Sequence, residues 1–240
     1  MALILITGAS TGLGLAAAET LAGEGHEVVV HTRRQESRPD LEAHGFVHGD
    51  LAHMDETLAV AEQANAFGRF DAVIHNAGVY RDPGALQVNT VAPYLLTAAM
   101  AKPRRLIYLS SGYHLDGSTD LAAIDFDETR VRPGAYEDSK LYETTLAFAA
   151  ARRWADTVAH VVDPGWVPTR MGGPGAPGDL EEGHRTQEWL ASAPDEAIAP
   201  RTGGYWYHRR IGRSHPAASD PDFQHELLER LEAHTGVKLG

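Results

Sequence analysis

The sequence contains no cysteine, which excludes disulfides, iron–sulfur clusters and thiolate catalysis. It also lacks a surplus of positive charge: 21 basic and 33 acidic residues give a formal charge of −12, which argues against binding to nucleic acid or to an anionic membrane. No apolar run approaches the roughly 20 residues of a membrane span, and no basic residue precedes Arg33, so no secretory signal is predicted. We therefore expect a soluble cytoplasmic protein.

The 240 residues can bury a full hydrophobic core, and short apolar runs alternate along them with helical stretches. Strands are predicted over residues 3–7, 27–31, 45–48, 70–75, 105–110 and 158–162. Helices are predicted over residues 16–23, 55–67, 86–101, 136–154 and 222–232. Continuous apolar strands that alternate with helices indicate a parallel sheet covered on both faces. The sequence thus predicts a doubly wound α/β fold with a mostly parallel sheet, in a single domain over residues 1–240.

Two segments interrupt this alternation. Residues 112–135 form a polar insertion, and residues 168–200 are rich in glycine and proline, with an amphipathic piece near residues 183–190. Both follow the carboxyl ends of predicted strands, where ligands bind in such sheets. We expect these segments to form the substrate loops and a lid.

A glycine-rich turn follows the first predicted strand: residues 7–14 read Thr-Gly-Ala-Ser-Thr-Gly-Leu-Gly. Glycine lets a backbone approach a pyrophosphate closely, and the helix that follows offers free N–H groups and a positive dipole end. Ser10 and Thr11 can add hydroxyl donors. Such a turn can also be purely structural, and its position between a strand and a helix is what favours a dinucleotide.

Tyr136 and Lys140 lie four residues apart in a predicted helix, so their side chains share one face. A free phenol has a pKa of about 10, and a neighbouring ammonium group lowers it towards the range that acid–base catalysis needs. Only three of the 21 basic residues are lysines. A lysine at this spacing therefore indicates a specific role.

Together these features resemble the classical short-chain dehydrogenases/reductases, which have a Rossmann fold. The turn at residues 7–14 matches the glycine spacing of that family, Asn76-Ala77-Gly78 matches its Asn-Ala-Gly element, and residues 164–169 match its Pro-Gly-X-Val-X-Thr segment. The resemblance covers nearly the whole chain. The long gap before Tyr136 and the stretch at residues 202–207 resemble the retinol-dehydrogenase-like branch, but the membrane anchor of that branch is not predicted.

The resemblance implies four catalytic residues. Tyr136 would be the acid/base, and Lys140 would lower its pKa and hold the nicotinamide ribose. Ser111 would polarise the substrate carbonyl. Asn89 would hold a water that relays protons, although by itself it could be an ordinary polar helix residue.

The resemblance also implies a cofactor site and a substrate pocket. The cofactor-binding residues would be Gly8, Ser10, Thr11, Gly12, Leu13, Gly14, Asp50, Leu51, Asn76, Ala77, Gly78, Tyr136, Lys140, Pro164, Gly165, Val167 and Thr169. From sequence alone, Asp50 could equally cap a helix. The substrate-binding residues would be Ser111, Tyr113, His114, Trp166 and Met171, each of which could instead be a core residue. No metal site is expected, because the histidines near residues 44–53 have no supporting ligands.

The charge at the end of the second predicted strand indicates which nicotinamide cofactor is preferred. NAD sites place an acidic residue about 20 residues beyond the glycines, to bind the ribose 2′-hydroxyl. Here Arg33 and Arg34 stand in that region, and arginine can bind a 2′-phosphate. NADP(H) is therefore favoured over NAD, with Arg33 the first candidate, although both arginines could be solvated loop residues.

The sequence thus predicts an NADP(H)-dependent carbonyl reductase or alcohol dehydrogenase for a small or medium-sized, apolar substrate. One alternative is a non-catalytic NADP(H)-binding regulator of the same fold. Another is an epimerase or dehydratase of the extended branch, which the glycine spacing disfavours. The resemblance implies a homo-oligomer, a dimer or tetramer, paired through the helices that carry Asn89 and Tyr136. A monomer stays open, because the insertion could cover that surface.

Overall fold

The computed structural model describes residues 1–127 and 130–240, and a sheet of eight strands runs through the middle of them. The strands are β1 (Leu3–Ile6), β2 (Glu27–Thr32), β3 (Gly45–His48), β4 (Ala72–His75), β5 (Arg105–Leu109), β6 (Val158–Asp163), β7 (Gly204–Tyr207) and β8 (Arg210–Ile211). Their order is β3-β2-β1-β4-β5-β6-β7-β8. Neighbouring strands are parallel except β7 and β8, which are antiparallel.

Helices cover both faces of the sheet, which confirms the predicted fold class. They are α1 (Gly12–Gly23), α2 (Met54–Asn65), α3 (Ala92–Ala99), α4 (Ala135–Arg153), α5 (Leu180–Ser192) and α6 (Pro221–Thr235). Ile4 and Ile6 of β1 pack on the side of α1 and α5, whereas Leu5 packs on the side of α2, α3, α4 and α6. This alternation follows from the two-residue period of a strand. None of the helices in the described part of the chain is both long and apolar enough to cross a membrane.

The structure departs from the prediction in two places. Strands β7 and β8 are not predicted by the sequence, because this short aromatic stretch after two glycines has no clear period. The single long helix predicted over residues 86–101 is instead a π-helical turn, Gln87–Val91, followed by α3. A π turn is rare and often lies at functional sites. Here it buries Asn89 completely.

Three histidines are buried in the strands of the sheet: His31 in β2, His75 in β4 and His160 in β6. Burial lowers the pKa of His31 and of His160 to about 4, and that of His75 to about 3. All three rings are therefore neutral near pH 7. In the unfolded chain, by contrast, each ring takes up a proton near pH 6.5.

Because the unfolded state binds more protons than the folded state between pH 6.5 and pH 4, stability falls as the pH drops through this range. The loss is at most about 1.4 kcal/mol per pH unit for each histidine. We expect His75→Gln to reduce the slope of the free energy of unfolding against pH by about one proton, measured by urea denaturation between pH 6.5 and pH 4. His225→Gln, which changes an exposed histidine of α6, controls for the loss of one histidine. Parallel slopes for wild type and His75→Gln would contradict the assignment.

Candidate cofactor and active site

A groove of about 510 Å³ lies at the carboxyl ends of the strands. The sequence-predicted residues that line it are Gly8, Ser10, Thr11, Gly12, Leu13, Arg33, Asp50, Leu51, Asn76, Ala77, Gly78, Tyr136, Lys140, Pro164, Thr169 and Met171. A larger cleft, of about 660 Å³, lies at the opposite ends of the strands, where β4, β5 and β6 begin. It is lined by Arg69, Lys102, Arg104 and Arg153, among others. It contains none of the predicted residues, so we take the groove as the candidate site.

The glycine-rich turn packs tightly on the loop that follows β4. Gly8 has a positive φ of 64°, and a Cβ atom there would lie 2.8 Å from the Cα atom of Ala77. A Cβ atom on Gly14 would lie 2.3 Å from Nδ2 of Asn76. That amide nitrogen donates a hydrogen bond to the carbonyl oxygen of Thr7 at 2.8 Å. The close contact between Gly14 and Asn76 therefore holds the two loops together.

His31 is not predicted as a site residue, yet its ring joins two walls of the groove. Its Nδ1 accepts a hydrogen bond from the N–H of Gly8 at 3.0 Å, and its Nε2 lies 2.9 Å from the carbonyl oxygen of Gly49. Since Nδ1 accepts, Nε2 carries the proton and donates it to Gly49. The sequence signal is slight: a histidine that continues the apolar run of β2.

The N-terminus of α1 faces the groove with unused donors. Thr11 is its N-cap residue, but the Thr11 side chain makes no capping hydrogen bond, and the first turn contains no acidic residue. Helix N–H groups without a capping side chain are suited to an anion. These groups, with the hydroxyls of Ser10 and Thr11, fit a dinucleotide pyrophosphate.

The two candidate arginines differ in position. Arg33 lines the groove, and its Nε lies 3.5 Å from Oδ2 of Asp50. Arg34 does not line the groove, and its carbonyl oxygen accepts a hydrogen bond from the buried hydroxyl of Thr32. Asp50 does not cap α2, whose N-cap residue is His53. Arg33 thus fits a role in cofactor binding better than Arg34 does.

Tyr136 lies in the first turn of α4, and the side chain of Ser111 is close enough to its hydroxyl to lower its pKa by hydrogen bonding. The ammonium group of Lys140 lies 5.7 Å from the centroid of the Tyr136 ring. Burial raises the pKa of Tyr136, while Lys140 and the Ser111 hydrogen bond lower it. The carboxylates of Glu143 and Asp163 raise it further. The expected effect of Lys140 is therefore present, but burial outweighs it.

Lys140 is buried and forms two short hydrogen bonds, to the carbonyl oxygen of Leu109 at 2.7 Å and to Oε2 of Glu143 at 2.8 Å. Burial disfavours the charged form of Lys140, but Glu143 and Tyr136 together hold its pKa above the ordinary value. Glu143 is not predicted as a site residue. The available signal is a Lys-X-X-Glu spacing on one helix, which usually marks an exposed ion pair.

Asn89 connects the π-helical turn to its surroundings. Its Oδ1 accepts a hydrogen bond from the N–H of Val79 at 2.8 Å, and its Nδ2 donates to the carbonyl oxygen of Val79 at 3.0 Å. Nδ2 also donates to the hydroxyl of Ser139 at 2.9 Å. The side chain therefore fixes the loop after β4 against the first turns of α4, behind Tyr136.

The predicted substrate residues occupy different depths. Tyr113 and Trp166 are exposed at the rim, where the Tyr113 ring lies 6.2 Å from that of Tyr136. Met171 lines the groove, and so does Tyr80, which is not predicted from the sequence. The ring of Tyr80 lies 4.8 Å from that of Tyr136 in an edge-on arrangement. Aromatic and thioether groups thus surround the phenol.

His114 is fully buried and does not line the groove. Its Nδ1 lies 2.7 Å from the carbonyl oxygen of Ser111, and its Nε2 accepts a hydrogen bond from the N–H of His215 at 3.1 Å. The ring also stacks on Tyr205. This placement supports Ser111 from beneath the site.

Three of the predicted cofactor-binding residues do not line the groove: Gly14, Gly165 and Val167. Gly165 turns the chain after β6, where its N–H donates to Oδ1 of Asp163 at 2.9 Å. Val167 is buried against α5 at Gly183. In the described part of the chain, no three His, Asp or Glu side chains meet as a metal site would require.

The contact between Gly14 and Asn76 leads to a test with a control in the same helix. We expect Gly14→Ala to destabilise the protein by about 1–3 kcal/mol, because the new methyl group has no room. At Gly23, the exposed end of α1, no atom lies within 4 Å of the place that a Cβ atom would take, so Gly23→Ala should be neutral or stabilising by up to about 1 kcal/mol. Urea denaturation measures both. Equal effects of the two substitutions would show that packing at Gly14 is not limiting.

Comparison with known proteins places this chain in a family. A family model described as short chain dehydrogenase matches residues 2–100. The short-chain dehydrogenase chyC of Penicillium rubens is 37% identical, over 100% of this chain and 99% of its own length. A protein of Streptomyces sp. (strain C5), named as a candidate daunorubicin C-13 ketoreductase, is 31% identical over 97% of this chain and 92% of its own length.

A solved structure supports the fold. The blue fluorescent protein from a metagenomic library, in complex with NADPH, has a TM-score of 0.67 and 20% identity, over 86% of this chain and 95% of that one. The full-length match to chyC, together with the fold and the family model, gives one conclusion. The chain belongs to the short-chain dehydrogenase/reductase family of oxidoreductases.

Proposed function

We propose that the chain is an NADP(H)-dependent reductase that interconverts a carbonyl and an alcohol on a small or medium-sized, apolar substrate. The observation that carries this proposal is the proximity of three groups: Tyr136 and Lys140, which line the groove, and Ser111, which does not line it but lies beside Tyr136. The side chain of Ser111 is close enough to the Tyr136 hydroxyl to lower its pKa, and the ammonium group of Lys140 lies 5.7 Å from the same ring. A proton donor, a second hydroxyl and a fixed positive charge are what carbonyl reduction requires.

In this proposal, bound NADPH supplies the hydride for the carbonyl carbon. The hydroxyl of Tyr136 donates its proton to the carbonyl oxygen, so that hydride and proton together convert C=O to CH–OH. The hydroxyl of Ser111 donates a hydrogen bond to the same oxygen as negative charge develops on it. Lys140 stabilises the phenolate that remains on Tyr136, and it would hold the ribose. Asn89 keeps the loop after β4 and α4 in place and would support the relay that returns the proton.

The cofactor assignment rests on the walls of the groove. The uncapped N-terminus of α1 and the close packing at Gly8 suit a pyrophosphate. Arg33 would bind the 2′-phosphate of NADPH. Pro164 and Thr169 also line the groove and would hold the nicotinamide.

The rim supports an apolar substrate. Tyr80 and Met171 line the groove beside Tyr136, and the exposed rings of Tyr113 and Trp166 extend this surface outwards. Tyr113 belongs to the segment 112–135, and Trp166 directly precedes the segment 168–200, so we propose that these two segments select the substrate. The Streptomyces relative is named as a ketoreductase, which agrees with reduction of a ketone in a related protein.

A helix of the same chain covers part of α4, the helix through which the family resemblance implies a dimer. Helix α6 packs against α4, and the buried residues of α4 extend from Ala135 to Ala150. Since the family commonly pairs subunits through this helix, its coverage favours the monomeric alternative over a dimer formed through α4.

The role of Tyr136 distinguishes an enzyme from a non-catalytic regulator. We expect Tyr136→Phe to lower kcat/KM for NADPH-dependent carbonyl reduction by roughly 100-fold or more, because the proton donor is lost. NADPH binding should change by only a few-fold. Tyr113→Phe, a matched change at the exposed rim, should keep most of the activity. NADPH oxidation measured across a panel of ketones and aldehydes provides the test: a fully active Tyr136→Phe would reject the mechanism, and a wild type that binds NADPH without turnover would favour the regulator.

The cofactor preference depends on Arg33. A charge-assisted hydrogen bond contributes roughly 1.5–3 kcal/mol, which corresponds to about one to two orders of magnitude in affinity. We expect NADPH to bind at least about tenfold more tightly than NADH, and Arg33→Ala to remove most of that difference. Arg34→Ala, outside the groove, is the matched control. Fluorescence titration with both cofactors measures the preference; equal affinities in the wild type, or a larger effect of Arg34→Ala, would contradict the assignment.

A further inference from the structure

Glu143 is a buried acidic residue directly behind the proposed catalytic pair. It lies one turn after Lys140 on α4, with a relative exposure of 0%. Its Oε2 accepts a hydrogen bond from the Lys140 ammonium group at 2.8 Å, and its Oε1 has no hydrogen-bond partner among the described residues. An ionised carboxylate with one unsatisfied oxygen is costly in an apolar interior. A packing role alone would be served better by an amide or an apolar side chain.

The charges around Glu143 define what it can influence. The titratable groups that interact with Tyr136 or Glu143 from neighbouring elements are Tyr108 on β5, Asp163 at the end of β6 and Tyr205 on β7. The ring of His114 contacts the backbone of Ser111, and burial lowers its pKa. His75 on β4 stacks on Tyr108 and is held neutral by burial. Lys140 is thus the cation in direct contact with Glu143. The carboxylate of Asp163 also raises the pKa of Tyr136.

The effect of Glu143 on proton loss has a definite sign. When Tyr136 and Lys140 are both protonated, the anion of Glu143 balances the positive charge of Lys140. Loss of one proton, from either group, leaves that buried anion without compensation. The anion therefore opposes the first deprotonation of the pair, whichever residue loses the proton. Burial raises the pKa of Glu143 to about 7, so the carboxylate is charged in the alkaline range where the pair titrates.

We propose that Glu143 is a positioning residue that keeps Tyr136 and Lys140 both protonated from neutral to mildly alkaline pH, so that Tyr136 stays available as the proton donor for carbonyl reduction. This inference rests on the proposed function. Alcohol oxidation requires the pair to have lost one proton, so it should begin only at higher pH. The equilibrium constant of the reaction is unchanged, and the pH range of each direction is what Glu143 sets.

The test separates the charge of Glu143 from its shape. Glu143→Gln keeps the size and an oxygen acceptor for Lys140 but removes the charge. We expect the pH above which kcat/KM for reduction declines to fall by roughly one unit or more, and oxidation to begin at a correspondingly lower pH. Glu143→Asp, which retains the charge, should restore the wild-type profile. Glu188→Gln is the matched control, because Glu188 is also buried and paired, but its partner is His184 on α5 and not Lys140.

A second readout does not depend on turnover. Potentiometric titration of each protein, minus its counterpart with Tyr136→Phe, follows the proton that Tyr136 adds to the pair, and it leaves Lys140 in place beside Glu143. The first proton should appear at lower pH in Glu143→Gln than in wild type. If neither the kinetic profile nor this titration moves in Glu143→Gln, the inference is wrong. If wild type shows no NADPH-dependent turnover, the proposed function fails, while the titration still decides the role of Glu143.

Discussion

The parallel pairing of β1 with β4 is the constraint on which the rest of the molecule depends. The strand order β3-β2-β1-β4-β5-β6 reverses its direction of winding at this pair, so the connections from the two strands leave on opposite faces and open a crevice between them. Thr7 closes its base: the Thr7 hydroxyl accepts hydrogen bonds from the N–H groups of Asn76 and Ala77, each at 3.0 Å. Every group of the candidate site is placed relative to this junction.

The catalytic end shows how burial decides the chemistry of common side chains. A tyrosine, a lysine and a glutamate on an exposed helix would contribute little to stability and would titrate near their ordinary values. On α4 the same three residues lie against β5 and the π-helical turn, where solvent does not separate their charges. Their protonation is therefore a shared property of the cluster. The side chain of Asn89 and the ring of His114 give this cluster a fixed frame without adding charge.

Much of the fold could be predicted from the sequence, because five of the strands, β1, β2, β4, β5 and β6, are largely buried on both faces and read as mainly apolar runs. The glycine spacing and the Tyr136–Lys140 pair likewise depend on local spacing, which the chain shows directly. Strand β7 could not be predicted in this way, since its partner is the distant strand β6. Strand β8 has only two residues, which pair with β7 and are too few to show a period. The same limit applies to His31 and Glu143: their roles come from burial, and spacing alone would place such residues on an ordinary strand and an exposed helix face.

His31 has a consequence for how the groove responds to acid. Histidines near a phosphate-binding surface usually gain charge as the pH falls, and they then attract anions more strongly. This ring is fixed by the N–H of Gly8 on one side and the carbonyl oxygen of Gly49 on the other, and its pKa of about 4 keeps it uncharged in mild acid. The charge that His31 contributes to the nucleotide end of the groove thus stays at zero between about pH 8 and pH 5. The hydrogen bond that positions Gly8 therefore does not depend on pH in this range, because His31 stays neutral throughout it.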